Sequence, residues 1–329
     1  MKQNKGGKKL VLICLLLILV VVILYSGLRI LESTVFSPDR QGQSETFPSK
    51  TVTQGEQDYF PRQDITVLML LGIDQTGPME DSGSYRNEGA ADVVMLAVFD
   101  ESAQTYDVLY LNRDTMLEMP VLGLGGKEAG STYGQLALAH SYGSGLEDSC
   151  ENVRNTVSTF LGGVYIDHYL SMNMDAIGIL NDAVGGVTVN VTDDFSEVDA
   201  TITQGTMTLN GEQAVHFLRS RKDVGNQLNL NRIERQKEYM TNFAAAVGEM
   251  AARDERALLD TYDRISPYSV SDCTAQSLSN LLDRFSSYKL ERILTPEGEN
   301  IRGEEYMEYY VDEEALDALI LELFYAPKK

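Results

Sequence analysis

At 329 residues the chain has room for one large domain or two small ones. Its 49 acidic residues outnumber 27 basic ones, giving a formal charge of −22. A polypeptide this acidic repels nucleic acid, whose binding depends on neutralising phosphates, and this argues against DNA binding.

The basic residues are unevenly placed. Lys2, Lys5, Lys8, Lys9 and Arg29 fall in the first 29 residues, which contain no Asp or Glu. Every residue from Leu10 to Tyr25 is apolar, and the run reaches Leu28 with only Ser26 and Gly27 intervening. That length suits a hydrocarbon core. The preceding lysines put the N-terminal side in the cytoplasm, and no small-x-small cleavage site follows. The expected organisation is a cytoplasmic tail (1–9), a single transmembrane anchor (10–28), a flexible stalk (29–62) and one extracellular domain (63–329). The stalk reading rests on a stretch rich in Ser, Thr, Gln and Pro without a lasting apolar period.

Beyond the stalk, the apolar runs Ile65–Gly72, Val93–Phe99 and Tyr106–Leu111 predict buried strands. The polar loop from Asp74 to Ala91 is long enough to be functional. Helices are predicted over Tyr133–Tyr142 and Cys150–Leu161, then a strand at Tyr165–Met172. A helix at Met174–Val184 is broken by Gly185-Gly186 before a strand at Val187–Val191. Gln213–Leu218 reads as part of a helix or strand leading to Arg219-Ser220-Arg221. There follow a long helix, Arg232–Arg253, and another at Ala275–Phe285. A strand pair (Lys289–Leu294, Tyr306–Val311) and a final helix (Asp312–Tyr325) close the chain. This alternation predicts an α/β fold, a layered α-β-α domain around a central mixed β-sheet. Cys150 and Cys273, outside the anchor, form either one disulfide or two buried thiols; neither has metal-ligand spacing.

Two groups of residues stand out chemically. Arg219 and Arg221 are followed by Arg232, Arg235 and Gln236, whose i, i+3, i+4 spacing shares one helix face. Arginines in a first helical turn meet the positive end of the macrodipole, and an anion there accounts for them best. The plain alternative is surface pairing with Glu234 or Asp223. Asp92 precedes the second strand and Asp114 follows the third, in Asn112-Arg113-Asp114-Thr115. Were these strands neighbours, both carboxylates would share one rim, a hard-oxygen set suited to Mg²⁺ with substrate phosphates. Aspartate at a strand end is also a common turn former. His140, His168 and His216 lie in no nucleophile elbow, and neither HExxH nor a Walker A loop is present.

Taken in order, the segments resemble the LytR-CpsA-Psr proteins, which attach glycopolymers to the bacterial cell wall. The resemblance covers nearly the whole chain. It runs through Leu71-Gly72-Ile73-Asp74, Asp92, Leu111-Asn112-Arg113-Asp114-Thr115, Ala139-His140-Ser141-Tyr142-Gly143 and Leu180-Asn-Asp-Ala-Val-Gly-Gly-Val187-Thr-Val189. It continues in Leu209-Asn-Gly211-Glu-Gln-Ala214, Arg219-Ser-Arg221 and Arg232-x-x-Arg235-Gln236. The resemblance implies an extracellular transferase that moves a glycopolymer, such as a teichoic acid or capsular polysaccharide, from undecaprenyl pyrophosphate to peptidoglycan through a phosphodiester. It implies Mg²⁺ as cofactor, with Asp92 and Asp114 as its carboxylates. Arg113, Arg219, Arg221, Arg232, Arg235 and Gln236 look like the pyrophosphate-binding set, with Asp92, Asp114 and Arg113 nearest the chemistry. A single-pass membrane location and no nucleic-acid partner go with it. The chain departs from the family pattern where Ala90, Asn112, Gln135 and Asn229 replace an Arg, a Pro, a Lys and an acid; Arg86 lies in the loop that lost the arginine. The competing readings are a non-catalytic polyprenyl-phosphate-binding protein of the same fold and a lipid pyrophosphatase.

Overall fold

The computed structural model describes residues 51–328 except 56, 221–234, 236–237, 240, 244, 247–248, 251–260, 262, 274–276, 278–279, 282–283, 286–287 and 305. In chain order the strands begin with β1 (Val52–Gln54), β2 (Gln57–Pro61), β3 (Ile65–Ile73), β4 (Ala91–Asp100), β5 (Thr105–Leu111), β6 (Met116–Leu122) and β7 (Glu128–Gln135). A 3-10 segment (Leu136–Tyr142) leads to α1 (Glu147–Phe160), β8 (His168–Asn173), α2 (Met174–Ala183), β9 (Val187–Val191), β10 (Gly205–Leu209) and α3 (Gly211–Arg219). The rest are β11 (Ser269–Ser271), β12 (Lys289–Leu294), β13 (Gly298–Arg302), β14 (Met307–Val311), α4 (Glu313–Phe324) and β15 (Tyr325–Pro327). The fold is mixed α/β with a central mixed sheet. Two compact units divide the described residues: one falls within 51–72, 80–171 and 288–328, the other within 73–79 and 172–285.

In the larger unit β8, β3, β4, β5 and β12 are successive neighbours in one sheet. β4 and β5 are antiparallel, while β12 joins β5 in parallel, which makes the sheet mixed. Residues 94–99 of β4 are all buried, the continuous apolar run of a strand covered on both faces. Gly72 lets β3 pass close to β4, since a β-carbon there would sit 3.0 Å from the Cβ of Val93. Helix α1 starts with Glu147 and Asp148, which suit the positive helix end, and buries Cys150, Val153 and Val157. Outside the sheet, β6 pairs with β7 and β13 with β14, both antiparallel.

Residues 51–62, the described end of the segment expected as stalk, contribute two strands. β1 pairs with β2, and β2 also pairs with β15 at the far end of the chain. Arg62 continues this closure, its N–H donating to the Phe324 carbonyl at 2.8 Å and its guanidinium bridging Asp64 and Asp100. That guanidinium holds the Asp64 carboxyl down at about 2. The expected helix over Tyr133–Tyr142 is corrected: the chain is β-paired through Gln135 and turns 3-10 only from Leu136. Pairing with β6, a strand the apolar pattern did not mark, overrides the local helical period. Cys150 and Cys273 are free thiols, and burial pushes the Cys150 thiol up to about 12.

The smaller unit has its own core, formed by Leu180, Val187, Val189, Phe195, Leu209, Phe217, Tyr239 and Phe243 among others. Asn173 caps α2, accepting from the N–H groups of Asp175 and Ala176. Asn210 and Gln213 form a reciprocal capping box at the start of α3. The two helices approach through glycine, for a β-carbon on Gly211 would lie 2.6 Å from the Gly178 carbonyl oxygen. Between them Asn181 is buried and serves three elements. Its amide donates to the Leu209 carbonyl at 2.8 Å, and its oxygen accepts from Val187 N–H at 3.2 Å and Tyr239 O–H at 3.0 Å. Replacing it with Leu leaves three buried groups unpaired, each worth about 1–3 kcal/mol. We expect Asn181→Leu to cost at least about 3 kcal/mol in urea unfolding; a variant within about 1 kcal/mol of wild type would refute this account.

Candidate active site

Asp92 is the second residue of β4 and Arg113 lies two residues past the end of β5. Extending the antiparallel Val94–Leu111 pairing by two residues sets Arg113 opposite Asp92. The register thus explains their ion pair, between Arg113 Nη1 and Asp92 Oδ1. The same guanidinium approaches Asp114, with Nε 3.4 Å from Oδ1. Arg113 therefore holds two carboxylates together that would otherwise repel each other. All three side chains are between a fifth and a third exposed, within reach of a ligand.

The backbone that presents Asp114 is fixed from several sides. Asn112 accepts the Asp114 N–H on its side chain at 3.0 Å, an Asx turn that supplies the restraint a proline would give. The Asp114 carbonyl accepts from Tyr309 N–H at 2.8 Å. Gln135 donates to Asp114 Oδ1 at 2.8 Å and to the Met307 carbonyl at 2.9 Å. The 3-10 segment is hung on this turn, with Leu136 N–H on the Thr115 carbonyl and Ala137 N–H on that of Arg113.

At its other end the 3-10 segment grips the loop leading into β4. Asn87 N–H donates to the Ser141 carbonyl, and the Asn87 amide reaches the carbonyls of His140 and Gly143. Gly89 O accepts from Ser141 Oγ and from the His140 ring at Nδ1, 2.8 Å away. Arg86, in the same loop, lies over the Tyr142 ring at 4.4 Å. His140 is therefore structural. With a carbonyl facing Nδ1 the proton sits there, and buried Nε2 has no hydrogen-bond partner among the described residues. Burial pushes the His140 ring down to about 4.

This depression has a definite sign. Between pH 6.5 and 4 the unfolded chain takes up a proton that the folded chain refuses, so folding loses stability as pH falls through that window. The full loss approaches about 3 kcal/mol at the lower end. Urea midpoints between pH 7 and 4 should fall in wild type and lose this component in His140→Gln. Parallel pH profiles for the two proteins would refute the assignment.

Of the arginine group, Arg219 and Arg235 are described and belong to the smaller unit. Arg219 ends α3, where a cation suits the helix dipole, and it is about half exposed. Its Nη2 pairs with Asp74 Oδ1 at 2.7 Å. The Asp74 loop is held by α2: Gly77 N–H donates to Asp175, the Asn173 amide to the Gly77 carbonyl, and Met174 N–H to the Gln75 carbonyl. Arg235 behaves differently. It is only 6% exposed and ion-paired with equally buried Asp193. Its Nε donates to the Phe217 carbonyl at 3.1 Å and its Nη2 to the Ser220 carbonyl at 2.7 Å. Its guanidinium carbon lies 5.2 Å from the Phe195 ring centroid and 5.8 Å from that of Phe217, beside two rings that stack on each other. It fastens the residue between Arg219 and Arg221 to the core. Arg221, Arg232 and Gln236, like the expected anchor, lie outside the described residues. Sequence reading did not pick out Asp193; an isolated Asp-Asp pair after a strand carries no signal for a partner 42 residues away.

The donor set at Asp92 and Asp114 is all oxygen, and Asp114 Oδ2 accepts no hydrogen bond among the described residues. That chemistry fits a hard divalent cation that shares substrate oxygens. Two carboxylates beside a fixed arginine, at one end of a mixed sheet, thus present hard oxygen donors next to a positive charge.

The LytR_cpsA_psr family model matches residues 34–323, and the chain belongs to that family. The polyisoprenyl-teichoic acid–peptidoglycan teichoic acid transferase TagU of Oceanobacillus iheyensis is 27% identical over 97% of this chain and 92% of its own. TagU of Enterococcus faecalis is 31% identical, but that match spans 55% of this chain and only 53% of the relative. Among solved structures, TagT bound to LI-WTA superposes with a TM-score of 0.53 at 21% identity, covering 79% of this chain and 90% of that one, a likeness of fold.

Proposed function

We propose that the chain is a membrane-anchored transferase that moves a glycopolymer of the teichoic-acid class from a polyprenyl-pyrophosphate carrier to peptidoglycan. The observation that carries this reading is the Asp92–Arg113–Asp114 centre in a chain of this family. The names of the relatives supply the substrate class. In the reaction, an acceptor sugar oxygen bonds to the phosphorus next to the glycopolymer. The P–O bond toward the lipid phosphate breaks, polyprenyl monophosphate leaves with the electron pair, and the hydroxyl proton is released. Such a transfer needs positioning and charge neutralisation more than a covalent nucleophile.

In this reading Asp92 and Asp114 hold Mg²⁺, which would neutralise charge on the phosphate oxygens when bound. Arg113 keeps the two carboxylates in place and adds its own positive charge. Arg219, Arg221, Arg232 and Gln236 take the pyrophosphate, as the family resemblance implies. To Arg235 we give a supporting role, holding Ser220 so that its arginine neighbours keep their direction. The apolar run from residue 10 to 28 serves as the anchor, cytoplasmic on its lysine-rich side, with the acidic domain outside. Residues 63 onward then form the layered extracellular domain.

The test is transfer by the full chain from a lipid-linked glycan to peptidoglycan, with and without Mg²⁺. Mg²⁺-dependent polymer on the acceptor is the expected result. Release of the polymer to water alone would make it a pyrophosphatase, and donor binding without turnover a lipid-binding member.

A further inference from the structure

Gln135 is the last residue of β7 and stands at the N-cap of the 3-10 segment, yet its side chain makes no capping bond. A side chain at that position often accepts from the N–H groups that follow it. Here the carbonyls of Thr115 and Arg113 already take Leu136 N–H and Ala137 N–H, so the amide is left for other partners. It is only 7% exposed, and a buried primary amide needs acceptors for both of its hydrogens. Nε2 donates to Asp114 Oδ1 at 2.8 Å and to the Met307 carbonyl, 172 positions away, at 2.9 Å. Both hydrogens are thereby spent.

These two bonds matter because of what they leave open. The Asp114 main chain is already set by the Asn112 turn and by Tyr309, whose N–H donates to the Asp114 carbonyl. A fixed main chain does not fix a carboxylate, which still turns about two side-chain torsions. Arg113 Nε and Gln135 Nε2 both approach Oδ1, at 3.4 and 2.8 Å, and the glutamine bond is the shorter. With Oδ1 engaged, Oδ2 is the oxygen presented to a ligand. Met307 and Tyr309 stand two apart on β14, so their main-chain groups point to the same edge of the strand. That edge holds the Asp114 main chain through Tyr309 and its carboxylate through Gln135.

We propose that Gln135 is the positioning residue of the Asp92–Arg113–Asp114 centre: it ties the Asp114 carboxylate to the edge of β14 and so directs Oδ2 toward the cation and the substrate phosphate. The proposal rests on the transferase reading and deepens the account of that same site. What the position requires is a nitrogen carrying at least two hydrogens. Methionine has the length but no donor. Glutamate has the shape but only accepts, and it sets another carboxylate against Asp114. The lysine ammonium has three hydrogens and can serve both acceptors. This series of side chains separates donation from packing.

The experiment uses the full chain in nanodiscs, at a temperature where every variant is folded. Mg²⁺ alone is titrated by calorimetry, and transfer kinetics are measured with a lipid-linked glycan. Gln135→Met should bind Mg²⁺ about 10–100-fold more weakly and lose kcat in like measure, with KM for the lipid-linked donor unchanged. Gln135→Glu should do no better. Gln135→Lys should transfer at least about tenfold faster than Gln135→Met at saturating Mg²⁺, because donation is restored. A methionine variant that loses only thermal stability, keeping wild-type Mg²⁺ affinity and kcat, overturns the proposal. So does a lysine variant no better than the methionine one. Wild type that transfers without binding Mg²⁺ would remove the cation from the reading, and kcat across the series then decides the positioning role. Wild type that binds Mg²⁺ but transfers nothing would count against the transferase reading, and the Mg²⁺ affinities decide the positioning role. Wild type that does neither overturns both.

Discussion

Arg235→Ala should unfold the smaller unit more readily by about 3–5 kcal/mol, a larger effect than any loss of an exposed ligand contact. The residue and its partner Asp193 are both nearly buried, and truncation leaves a carboxylate in the core without its counter-charge. It also strands the carbonyls of Phe217 and Ser220 and removes the cation packed beside the stacked Phe195 and Phe217 rings. Removing both charges together, as in Arg235→Met/Asp193→Leu, should recover much of the lost stability because the desolvation penalty disappears with the pair. Urea unfolding of the single and double variants measures both effects. The supporting role also has a readout that packing alone would not move. At a temperature where the double variant is fully folded, its affinity for polyprenyl pyrophosphate should still be reduced, because Ser220 has lost its tether. A folded, wild-type-stable Arg235→Ala protein that fails to bind the lipid would instead make Arg235 a direct ligand.

Asp114→Asn should lower transfer by about 10²–10³-fold while leaving the fold intact. The change keeps shape and removes one negative charge from the pair that Arg113 spans. The Gln135 bond survives, since an amide oxygen still accepts it, and the Asx turn from Asn112 involves only the backbone N–H of residue 114. Stability should therefore change little. Calorimetric titration of Mg²⁺ into the folded protein gives a second readout, with wild type binding and the variant binding at least about tenfold more weakly. Equal transfer by the two proteins would remove Asp114 from the chemistry. Equal Mg²⁺ affinity with lost transfer would leave it a catalytic part without the metal.

Much of the sheet was legible because its strands are covered on both faces and read as unbroken apolar runs. β3, β4 and β5 fall almost where those runs lie. Helices with strong punctuation were equally clear: Asn173 and Gly185-Gly186 frame α2, and Asp312 caps α4. Short, half-exposed strands were not. β1, β2, β10 and β13 have too few apolar residues for a period, and partners elsewhere in the chain define them. The last three residues of β7, Tyr133–Gln135, were read as the start of a helix for the same reason. The spacing of its residues is ambiguous until β6 lies beside it.

The candidate site divides along the same line. Residue type, order and spacing, read beside the family pattern, marked Asp92, Arg113, Asp114 and the arginine segment as candidates, because carboxylates and guanidinium groups suit phosphate chemistry whatever their surroundings. Local sequence also determined the caps and turns, since these form between residues two to four apart. It had no means of deciding what each charge would face. Arg113 and Arg235 are the same side chain. One lies just past a strand end between two accessible carboxylates, and the other is buried against Asp193 beside two stacked phenylalanine rings. Only the register of β4 on β5 and the packing of the smaller core made that distinction. Burial and partner are set by residues 20 to 40 positions away, and tertiary structure alone brings them together.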